Sequence, residues 1–169
     1  PATSPISGPT FICESDTAQI YSVTPSGGNY TWTITGGTIT NLAGNTITVN
    51  WDSAGTGSLA VVDTNIFGCP GTVQTISVTI NALPDTIPVT GAVVTCENSL
   101  ETYFVTGTAG STYQWTVSNG TIVGPTSGTS VNVQWGTAGF GSLFVVETNA
   151  ANCAGPVNPV NVIINPRPL

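Results

Sequence analysis

Four cysteines carry most of the chemistry this sequence has to offer. They stand at positions 13, 69, 96 and 153 of 169 residues, in a chain with no histidine, no lysine and one basic residue, Arg167. Without His or Lys there is no imidazole general base, no Ser–His or Cys–His nucleophilic pair, no Schiff base and no lysine-bearing phosphate loop. Histidine-ligated zinc is excluded too, and the cysteine spacing does not fit a zinc ribbon. Nor can a Lys–Asn isopeptide bond form. Disulfide chemistry remains, and four cysteines allow three pairings.

The carboxylates offer less. Asp63 and Glu147 occupy matching places, as do Glu14 and Glu97. A glycosidase pair must face across a cleft, and small β units with scattered acids predict none, so the chain is not expected to be an enzyme. Glu14, Asp16 and Asp85 place oxygen ligands at a turn and a linker, where calcium could be held. The alternative is that these charges solvate turns, since no calcium-loop motif is present. Apart from that calcium alternative, no cofactor is expected. With a net charge of −7, the chain cannot bind nucleic acid by neutralising phosphates. No apolar run reaches the roughly 18–20 residues that span a bilayer, so no membrane insertion is expected.

These groups sit in a duplicated frame. GPTFIC (8–13) returns as GAVVTC (91–96), YTW (30–32) as YQW (113–115), and NWDSAGTGSLAVVDTN (50–65) as QWGTAGFGSLFVVETN (134–149). GCPG (68–71) returns as NCAG (152–155), and VTIN (78–81) as VIIN (162–165). The period of about 83 residues puts one repeat at 1–83 and a second at 84–169, with Pro168 falling where a third would start. The expectation is a two-unit excerpt of a longer array.

Every strong periodicity is two. Tyr30, Trp32 and Ile34 alternate with Thr31, Thr33 and Thr35; Ile47, Val49 and Trp51 alternate with Thr46, Thr48 and Asn50. This parity sends the four tryptophans (32, 51, 115 and 135) to the core and leaves Phe67 and Phe140, in loops, as exposed aromatics. Turn clusters recur every eight to twelve residues, as in an all-β sandwich. Strands are expected at about 8–13, 18–24, 29–35, 45–51, 57–64 and 72–81, and again one period later. The fold class is two tandem immunoglobulin-like β-sandwich domains arranged end to end.

The pattern of C, Y-x-V, Y-x-W-x-x-x-G-G, I-x-V-x-W, G-x-G-x-L-x-V, G-C-x-G and V-x-I resembles the PKD-like domains of Bacteroidetes cell-surface proteins, notably adhesins linked to gliding motility and type IX secretion. The chain departs from ordinary PKD domains at WTITGG, where they carry a WDFGDG-like segment, so nothing dependent on those carboxylates is carried over. The resemblance implies an extracellular location. It also implies O-glycosylation at Asp-Ser/Thr-apolar segments, here Thr17, Ser53 and Thr86. The runs NYT and NGT also fit the N-glycan pattern.

Disulfide pairing is left with alternatives. One bridge per repeat would join Cys13 to Cys69 and Cys96 to Cys153. In the expected topology those cysteines lie at opposite ends of strands about 20 Å long, whereas a bridge needs Cα atoms within about 7 Å. A bridge across the junction of the two repeats, Cys13 to Cys153, is the other pairing, with Cys69 and Cys96 serving the units before and after. Four free thiols are the third reading.

The short Pro-bearing linker NALPDTIP (81–88) is of the semi-rigid kind. The expected function is therefore structural: a repeat of a long surface stalk, filament or adhesin, partnered by its neighbouring repeats. A carbohydrate-binding module meeting surface polysaccharide is the alternative, and an accessory domain of an exported enzyme a third reading. Without lysine to guard strand edges, lateral pairing of like chains also stays open.

Overall fold

A computed structural model of the chain describes residues 2–168. Two compact units divide it, Pro1–Leu83 and Pro84–Leu169. The first is built from β1 (Phe11–Cys13), β2 (Gln19–Ser22), β3 (Asn29–Thr35), β4 (Gly37–Ala43), β5 (Thr46–Trp51), β6 (Gly55–Thr64) and β7 (Gln74–Asn81). The second contains β8 (Val89–Thr90), β9 (Val94–Cys96), β10 (Leu100–Val105), β11 (Thr112–Ser118), β12 (Gly120–Ile122), β13 (Ser130–Trp135), β14 (Gly139–Thr148) and β15 (Asn158–Asn165). Among the described residues there is no helix. None therefore is long and apolar enough to cross a membrane.

Each unit is a sandwich of two sheets. In the first, β1-β7-β6-β3 faces β2-β5-β4; in the second, β9-β15-β14-β11 faces β8-β10-β13-β12. All pairings are antiparallel except those of β1 with β7 and β9 with β15, which are parallel. The period-two pattern explains the layering. Along β6, Gly57, Leu59, Val61 and Asp63 point inward while Ser58, Ala60 and Val62 sit at the surface. β-branched residues favour this pleated geometry.

Each unit has its own core. In the first, Trp51 and Tyr21 meet edge to face at 5.9 Å, and the Trp51 indole N–H donates to the Tyr21 hydroxyl at 3.1 Å. That hydroxyl donates in turn to the Pro9 carbonyl at 2.8 Å. The second unit repeats the relay through Trp135, Tyr103 and the Ala92 carbonyl. Glycine makes room for it: a Cβ on Gly57 would lie 2.2 Å from Trp51 Cζ3, and one on Gly8 would lie 2.2 Å from Tyr21 Cδ1. Trp32 and Trp115 are buried and donate their indole N–H groups to the carbonyls of Gly44 and Gly128.

Three elements lie outside the sequence expectation: the two-residue β8, and β4 and β12, which fall in the gap left between the strands expected at 29–35 and 45–51 and in the same gap one period later. β4 is half-buried to exposed along its whole length, with a register shift between Ile39 and Asn41. It therefore lacks the alternation that marks a half-buried strand. Gly36 makes the turn before it with φ 77°, and Asn119 does the same before β12 with φ 56°.

Candidate functional site

The chemically distinctive groups of each unit lie at its two ends. At one end β1 runs parallel beside the close of β7, with Cys13 level with Asn81. In the second unit Cys96 is level with Asn165. At the other end the turn before β7 holds Cys69, and the turn before β15 holds Cys153. β7 and β15 have eight residues each, so each unit's two cysteines are separated by about 23 Å of strand. That is several times the reach of a disulfide.

The cysteine-bearing turn is rigid by construction. Asn65 Oδ1 accepts the N–H groups of Phe67 and Cys69 at 3.0 and 2.9 Å. Asn149 Oδ1 does the same for Ala151 and Cys153, both at 3.0 Å. The left-handed position is Gly68 in one turn and Asn152 in the other, residues that adopt it readily. Gly71 N–H then closes on the Asp63 carbonyl at 2.7 Å, and Gly155 N–H on that of Glu147 at 2.8 Å.

The opposite end is clamped by a carboxylate. Glu14 accepts the N–H of Leu83 on Oε1 at 2.8 Å and that of Ala54 on Oε2 at 3.2 Å. Glu97 accepts Arg167 N–H at 3.1 Å and Ala138 N–H at 3.4 Å in the same manner, and its own carbonyl takes Arg167 Nε–H at 2.9 Å. One acid thus ties the β1 or β9 turn to the turn before β6 or β14, and to the segment leaving the last strand. Asp16 Oδ2 is likewise occupied, by Cys13 N–H at 2.9 Å, and Asp85 is exposed. These three acids were the calcium candidates. Among the described residues no group of three or more His, Cys, Asp or Glu side chains could hold a metal ion.

Oxidation state separates the cysteines. Cys13 and Cys153 are disulfide-bonded, while Cys69 and Cys96 are exposed free thiols. Each unit therefore carries one oxidised and one free cysteine. Cys153 is fully buried and Cys13 half-buried.

The glycosylation candidates Thr17, Ser53 and Thr86 are all exposed outside strands. Phe67 and Phe140 are 83% and 82% exposed, but only Phe67 lies in a turn; Phe140, expected in a loop, is in β14 and pairs with Ile163 of β15. They stand at different places in their units: the counterpart of Phe67 is Ala151, and that of Phe140 is Thr56.

Asp63 and Glu147 are buried, at 2% and 5% exposure. Their parity with Leu59, Val61, Leu143 and Val145 was the signal that could have placed them inside. Glu147 Oε1 accepts the Tyr113 hydroxyl at 3.2 Å. The shorter Asp63 leaves Oδ1 without a hydrogen-bond partner, while Tyr30 turns its hydroxyl to Ser26. Burial raises the phenol pKa values of Tyr21 and Tyr103 above their ordinary value, partly offset by the hydrogen bonds from Trp51 and Trp135.

A model of the PKD-like domain family matches residues 1–80 and again residues 82–162. No curated protein matches the chain. Among solved structures, a C-terminal 282-residue fragment of intimin, in complex with the intimin-binding domain of the translocated intimin receptor, is similar at a TM-score of 0.52 and 13% identity. That match covers 98% of this chain and 65% of the fragment. Fibronectin(III)-like modules of Clostridium thermocellum CbhA give a TM-score of 0.42 at 13% identity, covering 95% of this chain and 94% of that one. An I-band fragment of titin gives 0.42 at 10% identity, covering 98% and 66%. At these identities the likeness is one of fold.

Proposed function

Because the chain belongs to the PKD-like domain family in both of its halves, we propose that it is a structural segment of an extracellular stalk or adhesin, in which the units supply length and stiffness. The observation that carries this reading is the placement of the chemistry at the ends of each unit. Each end combines a cysteine with backbone locked by a carboxylate or an asparagine, and opposite ends carry cysteines of opposite oxidation state.

In this reading Cys13 bonds Cys153 across the junction of the two repeats. A bond within a unit would put both of its cysteines in one state, and β7 and β15 hold them too far apart. A bridge closing a loop of this length contributes roughly 4–5 kcal/mol in the chain-entropy account. Glu14 fixes Leu83 to the first unit, and Pro84 packs on Gly155 of the second, where a Cβ would meet Pro84 Cγ at 2.8 Å. Location on a Bacteroidetes surface, a role in gliding and export by a type IX system belong to the same proposal and follow from the family resemblance. So does O-glycosylation at the exposed Thr17, Ser53 and Thr86.

Carbohydrate binding has less support. The exposed aromatics Phe67 and Phe140 do not recur at equivalent positions, so the repeats do not present a common stacking platform. The test is a non-reducing peptide map of the two-unit chain, combined with small-angle scattering before and after reduction. A Cys13–Cys153 peptide and an elongated particle that becomes more flexible on reduction are expected. A Cys13–Cys69 peptide, or scattering indifferent to reduction, would overturn the stalk reading.

A further inference from the structure

A β-sandwich has open flanks, and a strand at a flank offers unpaired backbone N–H and C=O groups to any other strand. Most flanking strands of this chain are too short to serve. β1, β2, β8, β9 and β12 have two to four residues each. Three flanking strands have seven: β3, β4 and β11. Of these, β4 is blunted by its register shift between Ile39 and Asn41.

The second unit closes β11 with its own chain. The segment after β12 folds along the outer side of β11, so that Trp115 N–H donates to the Thr126 carbonyl at 2.8 Å and Gly128 N–H to the Tyr113 carbonyl at 3.3 Å. Gln114 stands opposite Ser127, and its Nε2 donates to Thr126 Oγ1 at 3.0 Å. Pro125, which has no N–H, opens the covering segment. β3 has no such cover. It is bound to β6 on one side, and among the described residues no backbone hydrogen bond reaches its other side. Its register matches that of β11, with Trp32 opposite Val61 as Trp115 is opposite Val145. The backbone groups of Tyr30, Trp32 and Ile34 therefore point out of the sheet edge, as those of Tyr113 and Trp115 do. Burial follows the cover: Tyr113 and Trp115 are 4% and 1% exposed, whereas Trp32 is 8% exposed and Tyr30 only half-buried.

The residue types leave this edge unguarded. Residues 29–43, NYTWTITGGTITNLA, hold no charge and no proline, two of the devices that ordinarily keep strand edges apart. Thr31, Thr33 and Thr35 form an exposed β-branched row suited to cross-strand pairing. Asp63, the acid opposite Tyr30, is buried. The net charge of −7 opposes self-association in general, but neither of two copies brings a charge to this strand.

We propose that the open edge of β3 is an interaction surface for a second copy of this chain, β3 pairing antiparallel with β3 about a twofold axis. The contact is isologous and closes at two copies. With Trp32 opposite Trp32, Tyr30 exchanges backbone bonds with Ile34, and Thr31 comes opposite Thr33 on the exposed face. The sequence leaves lateral pairing of like chains open in general; the fold confines it to one strand. The pairing uses no cysteine and no terminal residue, and it stands apart from the stalk reading.

The test is sedimentation equilibrium of the intact chain with Cys69 and Cys96 alkylated, so that neither thiol can join copies. A 17.2 kDa monomer in reversible exchange with a species of twice that mass is expected, with a midpoint below about 1 mM. Thr31→Lys combined with Thr33→Lys sets like charges opposite each other twice and should weaken the dimer roughly tenfold. Thr31→Lys combined with Thr33→Glu alters the same two exposed side chains but sets opposite charges across the axis, and should restore it. Thr116→Lys, on the covered β11, should leave it unchanged. Thermal unfolding of each variant checks that the first unit is folded. A monomer at every concentration up to that midpoint, a dimer that responds alike to both double variants, or cross-β fibres in place of a discrete dimer overturns the proposal.

Discussion

Replacing Tyr21 by Phe removes one hydroxyl and leaves the ring that meets Trp51 edge to face. Two hydrogen bonds go with it, the one accepted from Trp51 at 3.1 Å and the one donated to Pro9 at 2.8 Å. The Pro9 carbonyl is half-buried and can turn to water. The Trp51 indole N–H cannot, because Trp51 is 2% exposed and Tyr21 is fully buried. A buried donor left without an acceptor costs about 1–3 kcal/mol, so about 2 kcal/mol is expected. For a domain of this size each kcal/mol moves Tm by about 4–8 °C, which gives a fall of about 8–16 °C in the first unit's transition. Tyr103→Phe should do the same to the second unit. The effects should add in the double variant, because the two cores share no residue. Scanning calorimetry of the full chain reads all three, with Tyr30→Phe as control, since its hydroxyl bonds only to exposed Ser26 groups. A loss in Tyr21→Phe no larger than in Tyr30→Phe would refute the claim that the relay locks the sandwich.

Three further outcomes follow from the same geometry. Below pH about 10 the buried phenols of Tyr21 and Tyr103 are protonated in both folded and unfolded chains. Above it the unfolded chain ionises first, so the folded state holds more protons and stability falls as pH rises through the raised folded pKa values. Urea midpoints across that range should show the decline, and the double Phe variant should show less of it. Gly57→Ala, whose Cβ would come 2.2 Å from Trp51, should cost about 1–3 kcal/mol in denaturant unfolding. Glu14→Ala should speed amide exchange at Leu83 by about tenfold or more, the loss expected for one charge-assisted bond, while leaving core amides protected.

Most of the fold was legible because its main strands are half-buried and alternate strictly, as at Ile47, Val49 and Trp51. β4 and β12 were missed because each packs only one aliphatic side chain against its core, Ile39 and Ile122, too little to read as a period, and because Gly36 and Gly37 look like the middle of a turn rather than the start of a strand. The buried acids were legible and were not read: Asp63 and Glu147 share parity with aliphatic neighbours, but their charge outweighed their position. Glu14 and Glu97 could not be assigned from sequence in the same way. Accepting N–H groups from Ala54 and Leu83 depends on three segments that only the folded unit brings together. The cysteine states were among the alternatives the sequence left open: Cys13 and Cys153 bonded with Cys69 and Cys96 free is the pattern of the junction pairing, but spacing alone could not choose it over the other two.

The internal duplication allows the stalk and face-binding readings to be weighed against each other, because the two copies show what each unit keeps and what it changes. Kept are the core residues Tyr21 and Tyr103, Trp51 and Trp135, Leu59 and Leu143. Kept as well are the groups at the ends: Cys13 and Cys96, Glu14 and Glu97, Asn65 and Asn149, Asn81 and Asn165. Changed are outward positions on the sheets, where Ile20 becomes Thr102, Thr31 becomes Gln114, Thr48 becomes Asn132, Ala60 becomes Phe144 and Thr75 becomes Pro159. A module that grips a ligand on a sheet face needs the same face in each copy to gain from repetition. A unit that works through its ends needs only a stable body and faithful termini. The substitutions fall where the second kind of unit tolerates them, and the retained polar groups fall where it requires them. Transplanting the exposed β3 residues of the first unit onto β11 of the second should therefore leave its stability and end chemistry within about 0.5 kcal/mol of the original.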